Sequence, residues 1–140
     1  MEIRPYKIED REACLSIFDS LGQPPALRSE FASFLDNPSA VYLALEHDGR
    51  LIGCGGVRAE AGQSVAHLEW GMIHRDLQRQ GLGRYLLLYR LKEIGRVAGV
   101  QHVELKTPPA SAPFFEKYAF RLAGEDSGLL TMRMKLQVCA

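Results

Sequence analysis

No stretch of this chain is apolar for the roughly 18 to 20 residues that a membrane-crossing helix needs. Its start, Met1-Glu2-Ile3-Arg4-Pro5, lacks the charged segment and apolar run of a secretory leader. Charge of one sign is not in excess either: 17 Lys and Arg face 17 Asp and Glu, with no long run of either. That balance argues against nucleic acid as the main partner, because such binders carry a basic stripe. Arg75, Arg79, Arg84 and Arg90 offer at most a local basic patch. Cysteine is scarce. Cys14, Cys54 and Cys139 are odd in number, widely spaced and without a C-x-x-C pair. They fit a reducing, cytoplasmic setting and give no metal site, and the four histidines do not cluster. Repeats, linkers and low-complexity segments are also missing. With 46% hydrophobic and 24% charged residues, the composition is that of an ordinary soluble protein. The chain therefore reads as one domain, residues 1–140, large enough to bury a core.

Periodicity supplies the elements. Ile3 to Ile8 alternates like a short strand, which Pro5 confines to an edge or a start. Glu9 to Leu21 carries Ala13, Cys14, Ile17, Phe18 and Leu21 at helical spacing, and Gly22-Gln23-Pro24-Pro25 ends it in a stiff turn. A second short helix follows with Leu27, Phe31, Phe34 and Leu35 as its apolar stripe. Val41 to Glu46 and Leu51 to Val57 read as strands joined by Asp48-Gly49, a hairpin signal. Gly53, Gly55 and Gly56 in the second strand point to close backbone packing or a bulge. Val65 to Ile73 is another strand, and Leu82 to about Ala98 a long helix of roughly 25 Å with Gly99 as its C-cap. Val103 to Thr107, Phe120 to Glu125 and Leu129 to Val138 complete the strands, the last two closing a hairpin across Asp126-Ser127-Gly128.

The segment Gln78-Arg79-Gln80-Gly81-Leu82-Gly83 stands between the Val65–Ile73 strand and the long helix. Two glycines let the backbone turn tightly and approach a ligand closely. The first N–H groups of the helix have no intrahelical partner, and the helix dipole adds about half a positive charge there. Together these favour a phosphate, with Arg79 and Arg84 placed to add charge-assisted bonds. No Gly-Lys-Ser/Thr follows, so the Walker loop is excluded. The dinucleotide fingerprint fails as well, since Leu86 stands where a third glycine or alanine is needed.

The remaining pattern, Gln/Arg-x-x-Gly-x-Gly/Ala, resembles the pyrophosphate-binding motif of the GCN5-related N-acetyltransferases, the GNAT family. Three further signals follow in that family's order: the Val65–Ile73 strand, the long helix, and Ala112-Pro113-Phe114-Phe115-Glu116-Lys117-Tyr118-Ala119-Phe120 after a strand. The resemblance covers most of the chain. It implies an α/β fold with a central mixed, mostly antiparallel sheet of about seven strands flanked by about four helices. It also implies transfer of an acetyl group from acetyl-CoA to a primary amine of a small molecule or peptide. The pyrophosphate would sit on the backbone of Gln78, Arg79, Gln80, Gly81, Leu82, Gly83 and Arg84. The pantetheine arm would pair beside Met72 and Ile73, and Phe115 would lie near the thiol.

For the proton of the amine, period-2 geometry puts His67 and Glu69 on one face of the strand, and either has the chemistry of a base. The alternative is that Glu69 pairs with an arginine and His67 is a partly buried hydrogen-bonder. Trp70 points to the other face, against a helix. Phe115 stands where many family members have a tyrosine that protonates the leaving thiolate. Tyr118, three residues on, offers a hydroxyl or else fills a core slot. Pro108 and Ala119 replace a common asparagine and a common glycine. The acceptor site would be roofed by residues 21 to 37 and the last hairpin, with Arg28, Glu30, Phe31 and Phe34 as candidate lining or, for the aromatics, core. A homodimer through edge strands or the C-terminal hairpin fits the apolar Leu129-Leu130 and Val138-Cys139. A CoA-binding sensor or partner module without turnover is the chief alternative. An acyltransferase acting on protein or tRNA and an unrelated nucleotide binder are the others.

Overall fold

The structure, a computed structural model, describes residues 1–38 and 41–136. Among the described residues seven strands and four α-helices follow one another: β1 (Glu2–Pro5), α1 (Arg11–Ser20), α2 (Pro25–Asp36), β2 (Val41–His47), β3 (Arg50–Arg58), β4 (Val65–Ile73), α3 (Leu82–Ile94), β5 (His102–Thr107), α4 (Ala112–Glu116), β6 (Arg121–Asp126) and β7 (Leu129–Lys135). The strands form one sheet in the order β1-β2-β3-β4-β5-β7-β6. β4 and β5 run parallel, with His67 opposite Glu104, whereas β1–β2, β5–β7 and β6–β7 are antiparallel. This is the seven-stranded mixed sheet with four helices that the family resemblance implies.

The two hairpin signals fold as written. Asp48 and Gly49 have φ of 52° and 75°, and Ser127 and Gly128 have 52° and 84°. Two successive left-handed residues match the twist of the strands they join. Of the boundaries that differ from the sequence reading, three have a local physical cause. β1 stops at Pro5, because the Asp10 carboxylate accepts the Lys7 N–H at 2.9 Å and binds Arg4 at 2.8 Å, winding Ile8–Asp10 into a 3-10 turn. Pro25 is the first residue of α2 rather than part of the turn before it, a position where its missing N–H is not needed. α3 ends at Ile94, short of Ala98: Gly95 follows at once, and glycine is the weakest helix former after proline. Gly99, with φ of 89°, lies in the turns beyond and does not cap that helix. Val138 and Cys139 lie outside the described residues.

The chain divides into two compact units, Met1–Gly56 with Trp70–Leu91, and Val57–Glu69 with Lys92–Ala140. In the first, Cys14, Leu15, Ile17 and Phe18 of α1 and Phe31 and Leu35 of α2 bury against Tyr42 and Cys54. Trp70 joins this core through Phe31, ring centroids 5.0 Å apart, and through Phe18 and Phe34. Phe31 is fully buried in this core, the second of the two places the sequence offers it, while exposed Arg28 pairs with Asp19 at 2.7 Å. A second cluster joins Leu45, Ile52, Ile73, Leu82 and Leu86. In the second unit Val103, Leu105, Phe120 and Met132 are buried, and Phe115 packs its edge on Phe120 at 5.8 Å.

Ala119, at the position of the common family glycine, has φ of 71°. A left-handed backbone costs a residue with a Cβ about 1–2 kcal/mol. Ala119→Gly is therefore expected to stabilise the fold by about 1 kcal/mol after the extra freedom of glycine in the unfolded chain is subtracted. A chemical-denaturation midpoint that stays put or falls would contradict this.

Candidate active site

In the first unit the glycine turn is assembled from backbone. After β4 the chain makes a 3-10 turn over Arg75–Leu77, and the Gln78 side-chain amide then donates to the Ile73 carbonyl at 3.2 Å, tying the turn to the strand end. Arg79 and Gly81 are both left-handed, with φ of 65° and 81°. Glycine is at home in that conformation and arginine is not: Arg79 holds a strained backbone of the kind found at ligand sites. A methyl group built on Gly81 would meet nothing within 4 Å. The Tyr85 N–H donates to the Gly81 carbonyl at 3.0 Å, which starts the helical ladder. The N–H groups of Leu82, Gly83 and Arg84 thus belong to the first turn, which an α-helix leaves without internal partners. Leu82 is buried and anchors the helix start, while Arg79, Gln80 and Arg84 are exposed. An open cradle of N–H groups flanked by two arginines is what a pyrophosphate requires.

The strand leading into the turn is locally deformed. Ala66 and Leu68 are buried by alternation, but Trp70 has φ of 47° and the phase shifts, so that Ile73 is the next fully packed side chain. The Tyr42 hydroxyl donates to the Trp70 carbonyl at 2.8 Å and holds the deformation. A methyl on Gly53 would fall 2.7 Å from Ile73 Cδ1 and 3.0 Å from the Met72 carbonyl, so glycine there allows the close packing read from the sequence. Met72 and Ile73 direct their side chains into the core, leaving only backbone for a ligand.

In the second unit Val65, His67 and Glu69 share the half-buried face of β4. Glu69 accepts Arg58 Nε at 2.6 Å, a pairing that the sequence leaves open. Arg58 and His67 line a cavity of about 240 Å³ with Glu60, Gln63, Ser64 and Val65. Burial, helped by the Arg58 charge, pushes the His67 imidazole below its ordinary value of 6.5, so the ring is neutral at neutral pH. Nuclear magnetic resonance of the His67 ring is expected to give a midpoint below 6.5. Because the unfolded chain takes up that proton more readily, the fold should lose stability as pH falls from 6.5 through the midpoint. His67→Gln should remove this part of the pH dependence, and an unaltered stability profile would contradict it. Tyr118 follows the end of α4, in a turn, with its ring 5.3 Å from that of Phe114.

One expectation is corrected. Arg90 does not belong to a surface patch with Arg75, Arg79 and Arg84; it is 4% exposed. Its spacing from Leu82, Leu86 and Ile94 already places it on the buried stripe of α3. Arg58 gives no such signal, because only the sheet brings it to Glu69.

The GNAT acetyltransferase family profile matches residues 8–120. The chain belongs to the GNAT acetyltransferase family. Similar curated proteins include human serotonin N-acetyltransferase, 33% identical over 46% of this chain and 31% of that protein. The chain thus spans about a third of the length of the serotonin N-acetyltransferases it matches. Glucosamine 6-phosphate N-acetyltransferase of Trypanosoma brucei is 28% identical over 86% of this chain and 89% of its own length. Among solved structures, the PaiA N-acetyltransferase of Thermoplasma acidophilum in complex with coenzyme A shares the fold, with a TM-score of 0.75, 18% identity, and coverage of 96% of this chain and 98% of that one. Among the described residues no group of His, Cys, Asp and Glu could hold a metal ion, and no helix is long and apolar enough to cross a membrane.

Proposed function

We propose that this GNAT protein is a cytoplasmic, single-domain N-acetyltransferase that moves an acetyl group from acetyl-CoA to a primary amine of a small molecule or peptide by direct attack. The observation that carries the reading is the open N–H cradle at Gly81–Arg84, with Arg79 and Gly81 left-handed in front of it. When bound, acetyl-CoA supplies a thioester whose carbonyl the amine attacks. Gln78 to Arg84 hold the pyrophosphate, and the backbone beside Met72 and Ile73 holds the pantetheine arm and polarises the carbonyl. His67 takes the amine proton. Its neutrality supports that role, since a base must be unprotonated at the working pH. Glu69, already engaged by Arg58, orients the amine or a water on the same strand face.

At Phe115 the ring has no hydroxyl to donate. A thiol with a reference pKa of about 8.5 is a fair leaving group, so Tyr118 or water suffices to protonate it. The same departure favours a second reading, a CoA-binding partner module without turnover. Thiol release from acetyl-CoA across a panel of small amines and peptide N-termini separates the two. Turnover on any amine supports the enzyme, whereas saturable binding with no thiol release on the whole panel supports the module. A homodimer would be visible as a doubled mass in solution.

A further inference from the structure

We infer that Arg90 is a positioning residue that acts by its charge: it makes the backbone of the β4 deformation, Trp70 to Met72, a positive environment for the thioester carbonyl. The inference rests on the proposed use by acetyl-CoA of the backbone beside Met72 and Ile73, which this stretch runs into. Arg90 is buried, and its Nε has no hydrogen-bond partner among the described residues. Its Nη1 donates to the Gly56 carbonyl at a long 3.4 Å. Burial lowers its pKa to about 10, so it remains a cation at neutral pH. A buried guanidinium with so little compensation destabilises the fold, and a hydrophobic side chain of similar size would do better there. Such groups call for an explanation outside stability.

The glycines show what the charge is aimed at. A methyl on Gly71 would fall 2.6 Å from Arg90 Nη2 and 2.9 Å from Nη1, and one on Gly55 would fall 3.1 Å from Nε. Both strands therefore lack a side chain where the guanidinium lies, and it rests against the Gly71 backbone itself. Gly71 follows Trp70, the left-handed residue whose carbonyl is fixed by Tyr42. Tyr42 holds the shape of this stretch, and Arg90 sets its electrostatic potential. Negative charge develops on a thioester oxygen during attack, and a fixed cation in a dry setting stabilises it more than the ground state.

The test uses the full chain, with Arg90→Met and Arg90→Gln, two neutral replacements of different shape. Acetyl-CoA labelled with carbon-13 at the thioester carbonyl is bound to each protein, and the carbonyl stretch is read by difference infrared spectroscopy. Wild type is expected to show the lower frequency, with both folded variants displaced upward by a similar amount. In parallel, kcat should fall about tenfold or more with the acetyl-CoA dissociation constant unchanged. The denaturation midpoint of Arg90→Met should equal or exceed that of wild type. Should that variant fail to fold, Arg90→Gln carries the comparison. A carbonyl band that coincides with wild type in a folded variant overturns the inference and leaves the acetyltransferase reading intact. Failure of wild type to bind acetyl-CoA removes both.

Discussion

His67→Ala is expected to slow acetyl transfer by about 10²–10⁴-fold, the usual worth of a general base, while leaving acetyl-CoA affinity unchanged. Two observations set this expectation. His67 lies on the half-buried face of β4 and lines a cavity of about 240 Å³. Burial also keeps its ring neutral, so it can accept a proton without first losing one. Glu69→Gln should give a smaller loss, about tenfold at least, because the amide still accepts a hydrogen bond from Arg58 but carries no charge. Thiol release under saturating acetyl-CoA measures both. Equal activity of His67→Ala and wild type would remove the imidazole from the mechanism. A larger loss for Glu69→Gln than for His67→Ala would exchange the two roles.

The second large effect is expected at Gly81. Gly81→Val should weaken acetyl-CoA binding by about 100-fold, equivalent to about 2.7 kcal/mol. Valine at φ of 81° is strained, and its branched side chain would fill the space that lies open in front of the helix start. Each charge-assisted bond from a backbone N–H to a phosphate is worth about 1.5–3 kcal/mol, so displacing one or two accounts for the loss. The variant should still fold, with stability lowered by about 1–2 kcal/mol, because nothing in the protein packs on that face of Gly81. Calorimetric titration gives the affinity, and a dissociation constant within a few-fold of wild type would mean the ligand does not use this turn.

Much of this site is legible in the amino-acid sequence because it is local. Gln78 to Gly83 are contiguous, and a glycine turn before an amphipathic helix dictates where N–H groups point. β4 is bounded as read, since Val65 to Ile73 lies between turn residues on either side. The hairpins at Asp48-Gly49 and Ser127-Gly128 are legible for the same reason. Long-range relations are not. The Arg58–Glu69 pair depends on the neighbourhood of β3 and β4 and has no sequence signature. Strict alternation along β4 carries as far as Glu69 and fails at Trp70, where a left-handed residue interrupts it. Tryptophan gives no local warning of that, and Tyr42, which fixes the deformation, is distant in sequence. Arg90 sends two opposed signals: its spacing marks the buried stripe, while its charge points to solvent, and the spacing wins. Glycines on two strands, Gly55 of β3 and Gly71 of β4, make room for it.

The central claim is that the backbone cradle at the start of α3 binds the pyrophosphate of acetyl-CoA. Its most direct test is amide nuclear magnetic resonance of the nitrogen-15-labelled protein, titrated with acetyl-CoA and with S-acetylpantetheine, which has no pyrophosphate. The account predicts that the amides of Gly81, Leu82, Gly83 and Arg84 shift saturably with acetyl-CoA and stay in place with the pantetheine thioester. Amides in this turn that do not move at saturating acetyl-CoA, or that respond to ATP and not to CoA, would contradict it.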